Sequence, residues 1–380
     1  MFVSLLIVGC GGGGGDNPSE VQFKTIVAGS THSFALSNDG KVYAAGWNEY
    51  YQLGLGDTTD RNVFTEVTSL SGKNIIALSA GIYHSLALSS NGKVYATGDN
   101  EYGQIGFGSD ANKTSFTEVG SLSGKTITAI FAGGYHSLAI DNDGKVYATG
   151  LNEYGQLGLD DKTDRNVFTE VTSLNGKTIT ALSAGDLHSL ALANDGKVYA
   201  TGENHIGQLG LGDTTERNTS TEVGSLSNIT AISAGYVHSL ALANDGKVYA
   251  TGDNEYGQLG LGSDANKTSF TEVSTLSGIT TISTGDNHFF ALSNDGKVYA
   301  TGLNYDGQLG LGDNTDKNTS TEVSSLSGKN IAALSAGNLH SLALSNDGKI
   351  YAAGRNFYGQ LGLGDKIDRN AFTKVTVWND

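Results

Sequence analysis

The chain has 380 residues, and its 39 acidic against 23 basic side chains give a formal charge of −16. That charge repels phosphate backbones and anionic headgroups, which excludes nucleic acid as a partner and leaves a membrane reachable only through an anchor. A single cysteine, Cys10, excludes a disulfide framework and a thiolate metal site, while 54 glycines, one proline and a 38% hydrophobic fraction describe a chain that folds around a packed core.

Residues 1–20, MFVSLLIVGCGGGGGDNPSE, form no domain. The apolar run Phe2 to Val8 is too short for a membrane-spanning helix, which needs about 20 residues, but suits the core of a signal peptide. Ile7-Val8-Gly9-Cys10 resembles the lipobox of bacterial lipoproteins. The resemblance implies cleavage before Cys10, acylation of that residue and export, with Gly11 to Gly15 as a flexible tether. The expected location is the cell envelope, as a lipid-anchored outer-membrane or surface protein, or alternatively secretion. No Lys or Arg precedes the apolar run, a departure expected of a truncated gene start; the alternative is a frayed terminus with an incidental cysteine.

From residue 21 onward one unit recurs seven times. His32, His84, His136, His188, His238, His288 and His340 are spaced 52, 52, 52, 50, 50 and 52 residues apart. The units fall at about 21–70, 71–122, 123–174, 175–226, 227–276, 277–326 and 327–380. A period near fifty, alternating Val-Tyr and Leu-Ala pairs and glycine punctuation predict one small antiparallel sheet per unit. In the fourth unit the strands are expected at 178–184, 188–193, 197–201 and near 219–223, with Asn194-Asp195-Gly196 as a tight turn. Such sheets stack radially and leave only short edges. The fold class is therefore all-β, a seven-bladed propeller of four-stranded antiparallel blades forming a single domain, with a monomer expected.

The motifs AGxxHSLAL, NDGKVYATG and GxNxxGQLGLGD, the last seen at Gly202 to Gly210, resemble the repeats of the regulator of chromosome condensation family in all seven units. The resemblance implies the same seven-bladed propeller. One departure stands before the last strand: where the family carries proline, this chain has Phe64, Phe116, Phe168, Ser220, Phe270, Ser320 and Phe372.

The repeated polar residues are expected to be scaffold. Zinc needs several ligand atoms about 2.1 Å from one point, whereas equivalent histidines on separate blades are spread around a ring, so no metal and no cofactor is expected. Each histidine is expected to donate to a loop carbonyl and pack between blades. The asparagines at 48, 100, 152, 204, 254, 304 and 356, and the glutamines four residues after each, are expected to satisfy loop backbone. The NDG turns lack calcium-loop spacing, and GQLGLGD does not open a helix after a parallel strand. His188 and Ser189 are adjacent on a strand and point to opposite faces, so they form no base and nucleophile pair. No catalytic constellation emerges, and a non-enzymatic binding module is expected.

Strands that alternate in direction place the AGxxH and GxNxxGQLG loops at one end and the near-invariant NDGK turns and SLSG linkers at the other. Differences among the copies concentrate at the first end. The pair before each histidine runs Ser30-Thr31, Ile82-Tyr83, Gly134-Tyr135, Asp186-Leu187, Tyr236-Val237, Asp286-Asn287 and Asn338-Leu339. The residue after the next loop's first glycine runs Trp47, Asp99, Leu151, Glu203, Asp253, Leu303 and Arg355. Of 17 tyrosines, ten lie on these loops; Tyr50, Tyr102, Tyr154, Tyr256 and Tyr358 recur at one position, as packing residues would, and Tyr51, Tyr83, Tyr135, Tyr236 and Tyr305 do not recur. Tyr and Trp dominate binding hot spots. The expected partner-binding residues are Trp47, Tyr51, Tyr83, Tyr135, Asp186, Leu187, His205, Tyr236, Asp286, Asn287, Tyr305 and Arg355, and the expected partner is a protein. Within the resembled family this loop face suggests an inhibitor of a secreted enzyme such as a β-lactamase. Alternatives are nucleotide exchange on a Ran-like GTPase and a glycan or calcium-dependent adhesin.

Overall fold

The computed structural model describes residues 21–379, so the Cys10 lipidation site and the leader lie outside the described residues. Within that span seven antiparallel sheets follow one another along the chain, as the repeats predict. In the first blade β1 (Phe23–Ala28), β2 (His32–Ser37), β3 (Val42–Gly46) and β4 (Arg61–Glu66) run from the central axis outward. The other six blades repeat this order, the fourth unit with strands Ile179–Ala184, His188–Ala193, Val198–Gly202 and Arg217–Glu222. The turn between the equivalents of β2 and β3 uses positive φ only at its glycine, for instance Gly196 at 79°. Ala193 N–H donates to Lys197 and Gly196 N–H to Ala193, which is a type I turn closed by a left-handed glycine rather than a two-residue turn.

No blade buries both of its faces alone. Each apolar cluster draws on two adjacent blades: Phe34, Leu36 and Val42 of the first pack with Ile75, Leu78, Ala87 and Tyr95 of the second. The phenylalanines that replace proline complete this stacking. Phe116 lies in the cluster of blade 1, and Phe64, Phe168 and Phe372 likewise enter the cluster of the preceding blade. A side chain on Gly54 would collide with the Phe116 ring, and one on Gly362 with Phe64. The glycine of GQLG is thus required by close approach of the next blade, not only by its backbone angle.

The ring closes with a short strand the repeats do not contain. Trp378–Asn379 pairs in parallel with β4, making the first sheet five-stranded and setting Trp378 opposite Phe64. The indole packs 4.3 Å from the Phe23 ring and 5.1 Å from the Phe64 ring. All seven blades are built from contiguous sequence, and this strand fastens the last unit to the first.

The histidines join the blades by side chains, though not through loop carbonyls as the sequence suggests. His32 Nε2 meets Ser85 Oγ of the next blade at 2.9 Å, and the same contact joins His84 to Ser137, His136 to Ser189, His188 to Ser239, His288 to Ser341 and His340 to Ser33. Ser85 in turn donates to the Gln52 carbonyl at 2.8 Å, so the ring N–H donates to the hydroxyl and the hydroxyl to the carbonyl. His188 and Ser189 do not meet, as expected; each meets a neighbour's residue. The belt breaks once. Phe289 stands where the other blades have serine, and His238 Nε2 has no hydrogen-bond partner.

These contacts set two expected outcomes. Trp378→Ala should lower stability by about 2–3 kcal/mol, less than a fully buried tryptophan because the ring is half-buried; a urea midpoint equal to wild type would show that the terminal strand is no clasp. His84→Leu, which leaves Ser137 without its donor, should cost about 1–3 kcal/mol, while His238→Leu removes an already unpartnered nitrogen and should cost less. Equal urea midpoints for the two variants would contradict the relay.

Candidate functional site

The two loop families that vary are physically joined. In each blade the residue before histidine gives its carbonyl to the N–H of the residue after the following glycine: Trp47 to Thr31 at 3.0 Å, Asp99 to Tyr83 at 2.9 Å, Glu203 to Leu187 at 2.9 Å, Leu303 to Asn287 at 2.8 Å and Arg355 to Leu339 at 2.8 Å. This is a backbone bond, indifferent to side chain. Below it the scaffold amides act as the sequence suggests: Asn48 accepts from Leu53 N–H at 3.0 Å and donates to the Asp57 carbonyl at 2.7 Å, and Gln52 accepts from Tyr50 N–H at 3.0 Å. Arg61 grips Asp57 at 2.7 Å across the same loop, repeated by Arg165 with Asp161, Arg217 with Asp213 and Arg369 with Asp365.

Histidine and the glycine three residues before it are fixed by contact. A Cβ on Gly185 would lie 2.6 Å from Gly235 O of the next blade and 2.6 Å from His188 Nδ1, and Gly185 N–H donates to the His188 carbonyl at 2.9 Å. The two residues between them serve different places. The leading residue of six of the seven pairs turns toward the axis: Ser30, Ile82, Gly134, Asp186, Tyr236 and Asp286 line a central channel of about 270 Å³ walled by the inner strands of all seven blades. The residue next to the histidine faces outward onto the loop surface, where Leu187 and Asn287 are half-buried.

On blades 7, 1, 2 and 3 that face is an aromatic crescent. Trp47 stacks on Tyr358 at 5.3 Å and meets Tyr50 at 5.4 Å and Tyr83 at 5.7 Å; Tyr83 continues to Tyr135 at 5.9 Å, and Tyr135 to Tyr102 at 5.7 Å. Phe357, 59% exposed, extends it beyond Tyr358. A groove of about 950 Å³ adjoins this end, bringing together Tyr305, Arg355, Tyr256 and Phe357; Tyr305 is 78% exposed, and the Arg355 guanidinium sits over the Phe357 ring at 5.8 Å.

Blades 4 to 6 carry acid instead. Asp186 is 9% exposed and its Oδ1 has no hydrogen-bond partner. Burial pushes its carboxyl up to about 7, with Asp286 and Glu203 adding repulsion; burial does the same to Asp286. Tyr236, 43% exposed, stands between them from blade 5, and the two aspartates with Glu203 raise its hydroxyl pKa. His205 lies on the same side, its Nδ1 3.2 Å from Glu203 Oε1 and its ring 5.8 Å from Tyr154.

Sequence comparison fits this geometry. Residues 117–379 match the RCC1-like domain, and residues 39–88 and 91–140 match the regulator of chromosome condensation (RCC1) repeat. The chain belongs to the RCC1-like family. It is 35% identical over 203 residues to the ultraviolet-B receptor UVR8 of Arabidopsis thaliana, covering 53% of this chain and 46% of the receptor. To the human probable E3 ubiquitin-protein ligase HERC6 it is 35% identical over 215 residues, covering 53% of this chain and 21% of that protein. The chain thus spans less than half the length of both relatives. Yeast RCC1 (Prp20), solved bound to Kap60, superposes with a TM-score of 0.80 at 22% identity over 88% of this chain and 83% of its own. Human WBSCR16 gives 0.79 at 22% identity over 89% and 94%. At that identity the likeness speaks for the fold.

Within this RCC1-like propeller eight of the twelve residues singled out by sequence fall into three groups. Trp47, Tyr83 and Tyr135 meet in the crescent, Tyr305 and Arg355 in the groove, and Asp186, Tyr236 and Asp286 at the channel mouth. Tyr51 joins none of them by a ring contact: it occupies a left-handed backbone position, φ 64°, where other copies have glycine, and its carbonyl accepts from Thr97 at 3.0 Å. Sequence reasoning passed over Phe357 and set aside Tyr50, Tyr102 and Tyr358 as packing residues. They do pack, but against the non-recurring aromatics, and the signal available was their place on the same loops. Some of the variation is structural: Asp99 and Asp253 take the Gln104 and Gln258 amides at 2.8 and 2.7 Å.

The buried titratable groups give opposing pH effects. Burial lowers the seven repeat histidines to about 3 or 4, so the unfolded chain takes up their protons first and stability falls as pH drops below about 6.5. Asp186 and Asp286 bind protons more tightly folded than unfolded, so their contribution improves as pH falls through about 7. The double variant Asp186→Asn, Asp286→Asn should therefore raise the urea midpoint at pH 8 and steepen the loss between pH 6.5 and 5. Carboxyl-carbon NMR should place both wild-type midpoints near 7; midpoints near 4 would mean the mouth is wet.

Proposed function

We propose that this RCC1-like propeller is a non-enzymatic interaction module that grips a protein partner with the loop face formed by Trp47, Tyr83, Tyr135, Tyr236, Tyr305 and Arg355. The observation that carries this is the crescent itself, in which ring contacts run unbroken from Phe357 through Tyr358, Trp47 and Tyr83 to Tyr102 on one end of the molecule. Rigid aromatics lose little entropy on binding and concentrate affinity. The opposite end, with its repeated NDGK turns, offers no such continuity. Relatives whose names describe a receptor and a ligase, and a yeast homologue solved bound to Kap60, support a shared scaffold with different partners and do not select one. Acylation at Cys10 would hold the module at the cell envelope with this face free to engage another protein. Inhibition of a secreted enzyme is one narrower form of the same activity.

Site-specific photo-crosslinking separates the faces. A benzophenone side chain replacing Tyr83 or Tyr305 should capture a discrete protein from native envelope and culture fractions, and one replacing Asp195, on the opposite turns, should not. Capture from Asp195 alone, or equally from all three positions, would overturn the assignment of the face.

A further inference from the structure

We propose that the acidic mouth of the central channel is an anchor subsite for one basic side chain, an arginine or lysine carried at the tip of a loop of the protein partner. This rests on the reading of the loop face as a protein-binding surface and names the chemistry at its centre. Four observations carry it.

The first is dimension. The channel, about 270 Å³, is walled by serine, alanine and glycine of the inner strands, which is room for a single extended side chain and not for a folded segment. The second is unmet charge. Asp186 and Asp286 are the charged residues among those that line it, and no lysine or arginine does. Asp186 is 9% exposed, and its Oδ1 has no partner. A side chain on Gly134 would collide with that oxygen, so the carboxylate lies in a notch that the glycine leaves open. A buried carboxylate without a counter-charge costs stability, and an incoming cation offsets that cost.

The third is contrast with the other acids of this face. Asp99, Asp253 and Glu203 are each held by the scaffold glutamine of their own blade, and the wall serines are also engaged, Ser183 by Ala234 N–H and Ser335 by Ala28 N–H. The fourth is continuity. The crescent passes through Tyr135, next in sequence to Gly134, whose backbone borders the Asp186 carboxylate. A partner loop lying on the aromatics reaches the mouth directly. A guanidinium presents several donors to two carboxylates and stacks on tyrosine. Calcium takes six to eight oxygens, and among the described residues no three His, Cys, Asp or Glu side chains come together to hold a metal, so the donor set suits an organic cation.

The test uses the full chain with labelled aspartate carboxyl carbons at pH 8 and constant ionic strength, titrated with N-acetyl-arginine amide. Saturable shifts of the Asp186 and Asp286 signals in the millimolar range are expected, absent with N-acetyl-glutamine amide and weakened at least tenfold in the Asp186→Asn, Asp286→Asn double variant. Asp195→Asn, on the turns of the opposite end, should leave the shifts unchanged. With the cross-linked partner, the double Asn variant should lower capture from Tyr83 at least tenfold while its near-ultraviolet circular dichroism stays native. The proposal falls if the arginine probe shifts neither signal beyond sodium chloride, if calcium chloride saturates them at lower concentration than the arginine probe, or if the Asn variant captures the partner as well as wild type. Crosslinks that map to the loop face alongside a silent probe would remove the anchor and leave the face standing. A responsive probe with crosslinks on the opposite turns would remove both the face and the partner-borne cation.

Discussion

A sheet of four short strands cannot bury two apolar faces by itself, and every other feature of this protein follows from having to borrow the next sheet. The borrowing is specific. Histidine Nε2 reaches the serine of the following blade, that serine donates to the carbonyl of a scaffold glutamine, and both are wholly buried, as His32, Ser85 and Gln52 show. In so dry a place an unpaired donor is expensive, so the contact sets the angular register of one blade on the next. Glycine is demanded beside it because the histidine ring and the next blade's carbonyl occupy the space of a side chain at Gly185. Phenylalanine on the outer strand, closing over the glycine of the preceding GQLG, sets the same spacing further from the axis.

Once the blades are locked, the loop face is free to differ. The bond from Trp47 N–H to the Thr31 carbonyl, and its counterparts in the other blades, fixes two loops against each other without consulting either side chain. Variation at those positions therefore leaves the fold intact and changes only the surface. One position is partly constrained even so. An acid there satisfies the glutamine below, as Asp99 does for Gln104, and where Trp47, Leu151 or Leu303 stands instead, the amide nitrogens of Gln52, Gln156 and Gln308 are left without a partner. Trp47, like Leu151 and Leu303, is thus held at some cost to the scaffold.

Much of this was legible in the sequence because repetition makes scaffold visible. Seven copies of AGxxH and GxNxxGQLG give the blade number, the strand order and the face that varies, with no need of tertiary detail. What escaped were relations between units. The partner of His188 is Ser239, fifty-one residues away, and within a single repeat a carbonyl is a more obvious acceptor than a serine in the next. The terminal strand at Trp378 has no counterpart to align with, so its clasp on Phe23 and Phe64 is invisible to periodicity. The pair before histidine reads as one variable unit in sequence, yet adjacent residues on a turn diverge, and Asp186 faces the axis while Leu187 faces the surface. Tyr50 and Tyr358 recur and so resemble scaffold, although ring contacts make them part of the crescent.

The weak point of the belt and the acid at the mouth lie on the same side. Phe289 interrupts the relay between blades 5 and 6, leaving His238 Nε2 unpaired, and Asp286, which begins that same loop on blade 6, joins Asp186 of blade 4 at the channel. Phe289 is itself fully buried in the cluster of Leu240, Leu259 and Ile279, so hydrophobic packing replaces the polar link rather than leaving a void. Nearer the axis the same seam gains a polar link of its own, Ser233 Oγ to Thr284 Oγ1 at 2.7 Å, with Thr284 N–H donating to Ser233 Oγ at 3.1 Å. The carboxylates stand on either side of this seam, Asp186 on blade 4, which keeps its His188 to Ser239 bond to blade 5, and Asp286 on blade 6. The aromatic crescent, by contrast, rests on blades 7, 1, 2 and 3, whose seams keep the His340 to Ser33, His32 to Ser85 and His84 to Ser137 bonds and are further fastened by Trp378. Aromatics over His–Ser seams and charge on either side of the seam where phenylalanine replaces serine divide the face into a platform and an anchor.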